Sequence, residues 1–140
     1  MSLFTQYLES EDFKFLPNKK LMIDDQVILN ERVLPKGWFN LATYEASINY
    51  FLSKGIPEFI TFDNDLGEPK EGIDIVNWLI EKDLDFNFLN HNFKFNIHSK
   101  NTEANRRMFN KLNDYKKYRK YNYKVTQFTY LSKEWNNEII

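Results

Sequence analysis

Chemically active side chains follow three short apolar runs of this 140-residue chain, at the point where each run ends. Carboxylates can ligate a divalent cation, and an imidazole or a hydroxyl can move a proton or contact a phosphate oxygen. Apolar runs that stop at polar residues and glycine are typical of buried strands. We therefore expect strand ends to bring these groups together. The three runs end at Asp24-Asp25, at Asp63-Asn64-Asp65 and at His98-Ser99.

The order of the predicted elements places these strand ends at one edge of a sheet. The order is strand, loop, strand, helix, strand, helix, strand, helix, strand, which implies right-handed crossovers and a mostly parallel sheet. In such open sheets, ligands bind at the carboxyl ends of the strands. We predict an α/β fold of the flavodoxin-like, receiver-like type, with four to five strands in the order 2-1-3-4-5. Acids after the first and third strands would then meet at its switch point.

Apolar periodicity and capping residues give the boundaries of these elements. Thr43 is a good N-cap for the first helix, and Asn101 or Thr102 caps the last one. In residues 93–98, apolar and polar side chains alternate, which is typical of a half-buried strand near a sheet edge. Gly72, near the start of the middle helix, indicates a close approach of the backbone to another group. The predicted strands span 20–25, 38–42, 58–62, 93–98 and 121–131, and the middle helix spans about 72–82.

Composition restricts the class of protein. A hydrophobic share of 42% and an aromatic share of 17% favour a single globular domain over residues 1–140. The chain has no cysteine, which excludes disulfides, zinc–thiolate sites and thiol catalysis. The net charge of −1 predicts no overall attraction to nucleic acid or to a membrane surface. We expect a cytoplasmic protein, because no apolar stretch could span a bilayer and acids interrupt the N-terminal region.

Residues 106–124 form a locally basic segment in which tyrosines alternate with lysines and arginines. Basic residues interleaved with stacking aromatics suit weak contact with single-stranded RNA. The same composition is typical of a solvated helix face with tyrosines in the core, and that interpretation ranks first. The basic side chains are Arg106, Arg107, Lys111, Lys116, Lys117, Arg119, Lys120 and Lys124.

Four motifs in order extend the pattern of strand ends. They are Asp24-Asp25 with Glu31-Arg32-Val33-Leu34-Pro35-Lys36-Gly37-Trp38, Thr43-Tyr44-Glu45-Ala46, Phe62-Asp63-Asn64-Asp65-Leu66-Gly67 with Gly72-Ile73-Asp74-Ile75, and His98-Ser99-Lys100-Asn101 with Met108. Together they resemble the cyclic-phosphate processing receiver domain family, which is related to response-regulator receivers. The resemblance covers about residues 20–112 and leaves 113–140 as the end of the basic helix and a last strand. Each motif alone is a weak signal, whereas four in order on predicted strand ends are fairly specific.

The resemblance and the chemistry of the side chains imply three sets of site residues. Mg²⁺ (or Mn²⁺) prefers carboxylate oxygens together with a phosphate oxygen, and receivers hold it with acids at these strand ends. Histidine titrates in the range that suits proton transfer, and arginine can clamp a phosphate with two hydrogen bonds. The candidate metal ligands are Asp24, Asp25 and Asp63; the candidate catalytic residues are His98, Asp63 and Asp65; the candidate substrate contacts are Ser99, Asn101, Arg32 and Asn64.

Each of these residues also has an ordinary structural interpretation. Asp24 or Asp65 could cap a loop, His98 could be a buried histidine bonded to a carbonyl, and Arg32 could lie on the surface. The chain also departs from the family, because Asn64 stands where the family has a histidine between two acids, and the loop after Asp25 is longer. If that histidine is a general acid or base, this protein binds its ligand without turnover.

Three functions remain open from the sequence. The first is a Mg²⁺-dependent phosphoesterase acting on a cyclic phosphate, either a 2′,3′-cyclic RNA end or a cyclic nucleotide, in RNA repair or nucleotide signalling. The second is a signalling receiver with Asp63 as phosphoacceptor, for which Lys133 is a loose candidate for the usual lysine after the fifth strand. The third is a non-enzymatic binder of a cyclic nucleotide or RNA end. The sequence leaves the oligomeric state open.

Overall fold

The computed structural model describes residues 14–89, 92–119 and 124–127, without the side chains of Lys116 and of 124–127. Within these ranges five strands and three helices alternate as the sequence predicts. The strands are β1 (Phe15–Ile23), β2 (Phe39–Leu41), β3 (Ile56–Phe62), β4 (Lys94–Ile97) and β5 (Lys124–Gln127). The helices are α1 (Tyr44–Ser53), α2 (Gly72–Phe86) and α3 (Thr102–Arg119).

The strands form one sheet in the order β2-β1-β3-β4-β5, and every neighbouring pair is parallel. This confirms the predicted fold class and strand order. In the register, Ile23 pairs with Leu41 and with Phe62, and Phe62 pairs with Ile97. The last residues of four strands therefore lie side by side, so the residue that follows each strand emerges at the same edge. We call this the carboxyl edge and the opposite one the amino edge.

All three helices pack on one face of the sheet. The reason is the order of the strands: the connections from β2 to β3, from β3 to β4 and from β4 to β5 all move in one direction, and right-handed crossovers in one direction lie on one face. Full burial of each large apolar side chain contributes roughly 1.5–3 kcal/mol. Fully buried members of this core include Leu21, Ile23, Ile60 and Phe62 from the sheet and Phe51, Ile75, Leu79, Met108 and Leu112 from the helices.

The opposite face of the sheet is covered, over β1 and β3, by the connection between β1 and β2. That connection moves back across the sheet, so it lies on the face without helices. It contains no regular helix, and its apolar side chains cover Met22 and Phe59. Trp38 contacts Phe59 edge to face, with ring centroids 5.0 Å apart, and Val27 and Leu34 pack beside them.

Two predictions about the strands were wrong. β1 begins at Phe15 rather than at residue 20, because a bulge between Leu16 and Lys20, with Asn18 in a left-handed conformation (φ 66°), lets pairing continue past Pro17. β4 lies next to the edge strand β5 but is not half-buried, since Asn96 and the adjoining His98 are fully buried. In both places, hydrogen bonds to β3 satisfy polar groups that the sequence pattern assigns to solvent. The predicted ends of the last strand, and Lys133, lie outside the described residues.

No helix among the described residues is long and apolar enough to cross a membrane.

Candidate functional site

Asp24, Asp63 and His98 lie together at the carboxyl edge, each one residue beyond its strand. One ligand atom from each lies within 4.8 Å of the others. Backbone hydrogen bonds continue the sheet by one residue and fix all three positions: Asp24 N–H donates to Leu41 at 3.1 Å, Asp63 N–H to Ile23 at 2.9 Å, and His98 N–H to Phe62 at 2.9 Å. The predicted convergence of acids and histidine on one edge is therefore what the fold produces.

Asp24 is a fully buried carboxylate with donors on both oxygens. Its Oδ1 accepts from the Gln26 N–H at 2.7 Å, and its Oδ2 accepts from His98 Nε2 at 2.8 Å and from Arg32 Nη1. Burial raises the pKa of Asp24, but the hydrogen bonds from His98 and from the Gln26 N–H, together with the Arg32 guanidinium, outweigh it, so the pKa lies below its usual value. Asp24 is therefore ionised in the folded protein.

His98 is the third member of a directed chain of buried hydrogen bonds. Because Asp24 is ionised, His98 Nε2 holds the hydrogen; burial lowers the pKa of His98, although the bond to Asp24 opposes this. The network therefore assigns the neutral tautomer in which Nδ1 accepts from the Thr61 hydroxyl at 2.7 Å. Thr61 Oγ1 accepts in turn from Asn96 Nδ2 at 3.0 Å. The chain Asn96, Thr61, His98 orients Asp24, and the His98 side chain itself is fully buried.

Asp63 is the member of the cluster that faces solvent. Its Oδ2 lies 3.8 Å from Arg32 Nη1, and 7% of the residue is exposed. Burial and the charge of Asp24 raise the pKa of Asp63 to about 7, with Arg32 and the Asn64 N–H opposing the shift and Asp25 adding to it. The pair Asp24 and Asp63 thus holds more negative charge than the single arginine between them neutralises.

A polar cleft of about 240 Å³ opens directly above Asp63. Cations, a hydroxyl, amides and carboxylates share its wall, which is the mixture that a phosphate ester with a bound cation requires. The cleft has room for a phosphate group with part of a sugar. Its lining residues are Gln26, Arg32, Asp63, Asp65, Ser99, Lys100 and Asn101.

The predicted residues on the rim of the cleft have partners on the loops that bear them. Asp65 is exposed, and its Oδ1 accepts from the Gly67 N–H at 3.0 Å. Ser99 is buried, and its Oγ accepts from the Asn101 N–H at 3.2 Å. Asn101 is the N-cap of α3, since its Oδ1 accepts from the Ala104 N–H at 3.1 Å. The Ser99 hydroxyl hydrogen and the Asn101 side-chain amide can both turn towards a ligand.

Comparison with known protein families matches the chain, over residues 19–114, to the cyclic-phosphate processing receiver domain. The chain belongs to this family. The matched residues include every residue of the Asp24–Asp63–His98 cluster and of the cleft. The family description links this receiver domain to the processing of cyclic phosphates. No curated protein and no solved structure matches the chain.

In this receiver domain, Asn64 lies outside the cleft lining. Its Nδ2 donates to Glu71 Oε2 at 3.0 Å, and its Oδ1 accepts from the Ile73 N–H at 3.2 Å, so the side chain ties the turn after β3 to the start of α2. At Gly72 a Cβ would collide with the Asp63 carbonyl oxygen, which confirms the predicted close approach. The position at which the family has a histidine is therefore a structural position in this chain.

Asp25 also points away from the cluster. Its Oδ1 accepts from Gln26 Nε2 at 3.2 Å, and its Oδ2 lies 3.0 Å from where a Cβ on Gly67 would be. It is absent from the set of close ligand atoms, which Asp24, Asp63 and His98 provide. A metal-binding role for Asp25 stays a prediction that requires its side chain to turn.

Sequence reasoning missed two lining residues, Gln26 and Lys100. Gln26 follows the acid pair and donates its N–H to Asp24, whereas Lys100 follows His98-Ser99 and adds an exposed cation. Both stand next to motif residues, so the signal was their position one or two places beyond a predicted strand end. The motif itself specifies neither residue type.

The donor set fits a divalent cation held by Asp24 and Asp63. Two carboxylates with excess negative charge are what Mg²⁺ or Mn²⁺ prefers. Burial is the largest cause of the raised pKa of Asp63, and the negative charge of Asp24 is the second. The His98 Nε2 hydrogen points at Asp24, so His98 is not a ligand in this arrangement. Arg32 Nη1 contacts Asp24 Oδ2, so a cation that binds this oxygen would compete with Arg32.

Proposed function

We propose that this receiver domain is a metal-dependent phosphoesterase that opens a cyclic phosphate, either a 2′,3′-cyclic RNA end or a cyclic nucleotide. The observation that carries the proposal is the cleft in which Arg32, Lys100 and Ser99 converge beside the carboxylate of Asp63. Membership of the family supports the cyclic-phosphate part.

Arg32 is the candidate phosphate clamp. Its side chain is 6% exposed and lines the cleft, and its guanidinium lies between Asp24 and Asp63. A planar guanidinium can contact two phosphate oxygens at once, which a lysine cannot do. Lys100 on the rim adds a second positive charge, and Ser99 and Asn101 add hydrogen-bond donors. These four residues would hold the cyclic diester with its phosphorus above Asp63.

Asp24 and Asp63 would hold Mg²⁺ or Mn²⁺, which supplies charge neutralisation and a more acidic water molecule. In the overall reaction water adds to phosphorus, one of the two ring P–O bonds breaks, and the ribose oxygen that leaves takes a proton. Asp65, which is exposed and lines the cleft, would accept the proton of the attacking water. His98 keeps Asp24 oriented; its predicted part in proton transfer requires it to leave its bond with Asp24.

The test is a ³¹P NMR time course of a 2′,3′-cyclic nucleotide with the protein, in Mg²⁺ and in EDTA. We expect the cyclic-diester signal to be replaced by a monoester signal only with the metal. Asp63→Asn should abolish turnover, while Asp85→Asn, an exposed aspartate on α2, should retain it. Turnover that survives Asp63→Asn or EDTA would contradict the proposal.

A binder without turnover is the second candidate, and the engaged side chain of Asn64 favours it. In the same NMR experiment a binder broadens the cyclic signal without forming product. A signalling receiver phosphorylated on Asp63 would instead gain the mass of one phosphoryl group from acetyl phosphate, and Asp63→Asn would abolish that gain.

A further inference from the structure

A second cleft, of about 230 Å³, lies on the face without helices, towards the amino edge and away from Asp63. We call it the amino-edge cleft. Along β3, Phe59 and Asp63 are four residues apart, which corresponds to about 13 Å of extended strand. The residues that line it are Asn18, Lys19, Lys20, Glu58, Phe59 and Lys94.

The register of the sheet places a lysine on each side of Phe59 at this cleft. Lys20 pairs with Phe59, and Phe59 pairs with Lys94. Residues that pair across parallel strands belong to the same face, and this is the face without helices. An anion bound over Phe59 would therefore lie between two ammonium groups.

The bulge in β1 brings another lysine to the same cleft. In a regular strand, consecutive side chains point to opposite faces, so Lys19 and Lys20 would separate. The bulge between Leu16 and Lys20, with Asn18 at φ 66°, breaks this alternation, and both lysines line the cleft. The one carboxylate in the lining, that of Glu58, accepts from the Asn18 N–H at 3.0 Å. This hydrogen bond stabilises the bulge.

We propose that the amino-edge cleft binds the phosphodiester backbone of single-stranded RNA. Lysine ammonium groups contact phosphates without reading base identity. Phe59 is only 8% exposed and packs edge to face against Trp38, so it forms an apolar floor and leaves no ring face for base stacking. The site therefore recognises backbone charge, and its RNA binding is independent of sequence.

In the described part of the basic segment 106–124, the charged side chains are spread along α3. α3 runs from the carboxyl edge to the amino edge, which separates Arg106 from Lys124 by the length of the helix. Arg106 pairs with Glu103 at 2.6 Å, and Arg119 pairs with the buried Asp83 at 3.4 Å. The lysines of the amino-edge cleft instead belong to β1 and β4. These strands are far apart in the sequence, and only the fold brings their lysines together.

The test is fluorescence anisotropy with a labelled oligouridylate at several salt concentrations. Lys20→Gln combined with Lys94→Gln should weaken RNA binding roughly tenfold at low salt. The slope of the logarithm of the association constant against the logarithm of the salt concentration should become shallower by about 1.4, which corresponds to two lost phosphate contacts. The matched control is Lys82→Gln with Lys111→Gln, which removes the same charge from the helical face and should change binding less than about twofold. Equal losses in both double variants would overturn the proposal.

Two further measurements separate the possible sources of phosphate and the two sites. Uridine monophosphate at the same phosphate concentration should not displace the RNA. Full displacement would show that the cleft binds a free phosphate group and would overturn the proposal that it binds an RNA backbone. The Lys20→Gln, Lys94→Gln protein should act on a 2′,3′-cyclic mononucleotide as the wild type does, because neither lysine lines the cleft above Asp63. It should also melt at the wild-type temperature, which excludes unfolding as the cause of weaker binding.

Discussion

At the scale of single residues, Arg32 would compete with the proposed divalent cation for Asp24. Arg32 Nη1 contacts Asp24 Oδ2 and lies 3.8 Å from Asp63 Oδ2. We predict that Arg32→Gln tightens Mn²⁺ binding roughly tenfold, or about 1.4 kcal/mol, because the incoming cation no longer meets a guanidinium. Isothermal titration calorimetry with Mn²⁺ measures this directly.

The matched control is Arg106→Gln, whose guanidinium pairs with Glu103 on the exposed surface of α3. It should leave Mn²⁺ affinity unchanged. Weaker Mn²⁺ binding by Arg32→Gln would mean that Arg32 holds the two carboxylates in place for the metal.

Asp63 gives the protein a specific dependence of stability on pH. Its pKa is 3.8 in the unfolded chain and is raised to about 7 in the folded protein, so between these values the folded state binds more protons. The contribution of protonated Asp63 to the free energy of unfolding is fully present below about pH 4. It is lost as pH rises through 7, by up to roughly 4 kcal/mol. The lowered pKa of His98 has the opposite effect below pH 6.5, so the two must be separated.

Urea unfolding in EDTA at pH 5 and pH 8, for the wild type and for Asp63→Asn, makes that separation. We expect the advantage of Asp63→Asn over the wild type to be larger at pH 8. Added Mg²⁺ should remove that advantage. A difference between the two proteins that does not change with pH would show that Asp63 ionises normally.

At the scale of elements, Asp83 is the buried group that joins α2 to α3. It is fully buried; its Oδ1 accepts from the Leu89 N–H at 2.8 Å, and its Oδ2 accepts from the Tyr115 hydroxyl. We predict that Asp83→Ala lowers the free energy of unfolding by roughly 3–5 kcal/mol, because it leaves Tyr115, Leu89 and Arg119 without their acceptor. Urea denaturation measures the loss.

Asp85→Ala is the control, since Asp85 is exposed on the same helix. It should cost less than about 0.5 kcal/mol. If the two variants were equally stable, the join between α2 and α3 would depend on apolar packing alone.

The elements also show why part of the site could be predicted. Acids that follow buried apolar runs, with helices between the runs, fix the strand order and the edge at which Asp24, Asp63 and His98 meet. The sequence did not show which of Asp24 and Asp25 faces the cluster. That depends on the side of the sheet to which each side chain points, which is set by the pairing register and not by the local sequence pattern. The burial of Asn96 was not predicted, because alternating polar and apolar residues have the same sequence pattern in two cases. The polar side chains can be exposed to solvent, or they can be buried and hydrogen-bonded to one another.

At the scale of the whole molecule, the balance of charge differs between the two clefts. At the carboxyl edge, the acids Asp24, Asp63 and Asp65 outnumber the cations Arg32 and Lys100, whereas in the amino-edge cleft three lysines accompany a single acid, Glu58. A net charge of −1 hides this difference, because composition sums over the chain without regard to position. The strand order could be predicted from the sequence, but the bulge that joins Lys19 to Lys20 could not, since it depends on one left-handed residue.

The connection between β1 and β2 gives this domain a way to change its ligand without refolding. Val27 and Leu34 anchor the connection to the sheet, and Arg32 lies between these anchors. The same interval contains apolar side chains that are largely exposed: Ile28 (68%), Leu29 (56%) and Val33 (85%). Substitutions, insertions or deletions between the anchors would reposition the guanidinium while Trp38 still covers Phe59. Divergence and directed evolution of substrate preference should therefore concentrate in residues 28–33.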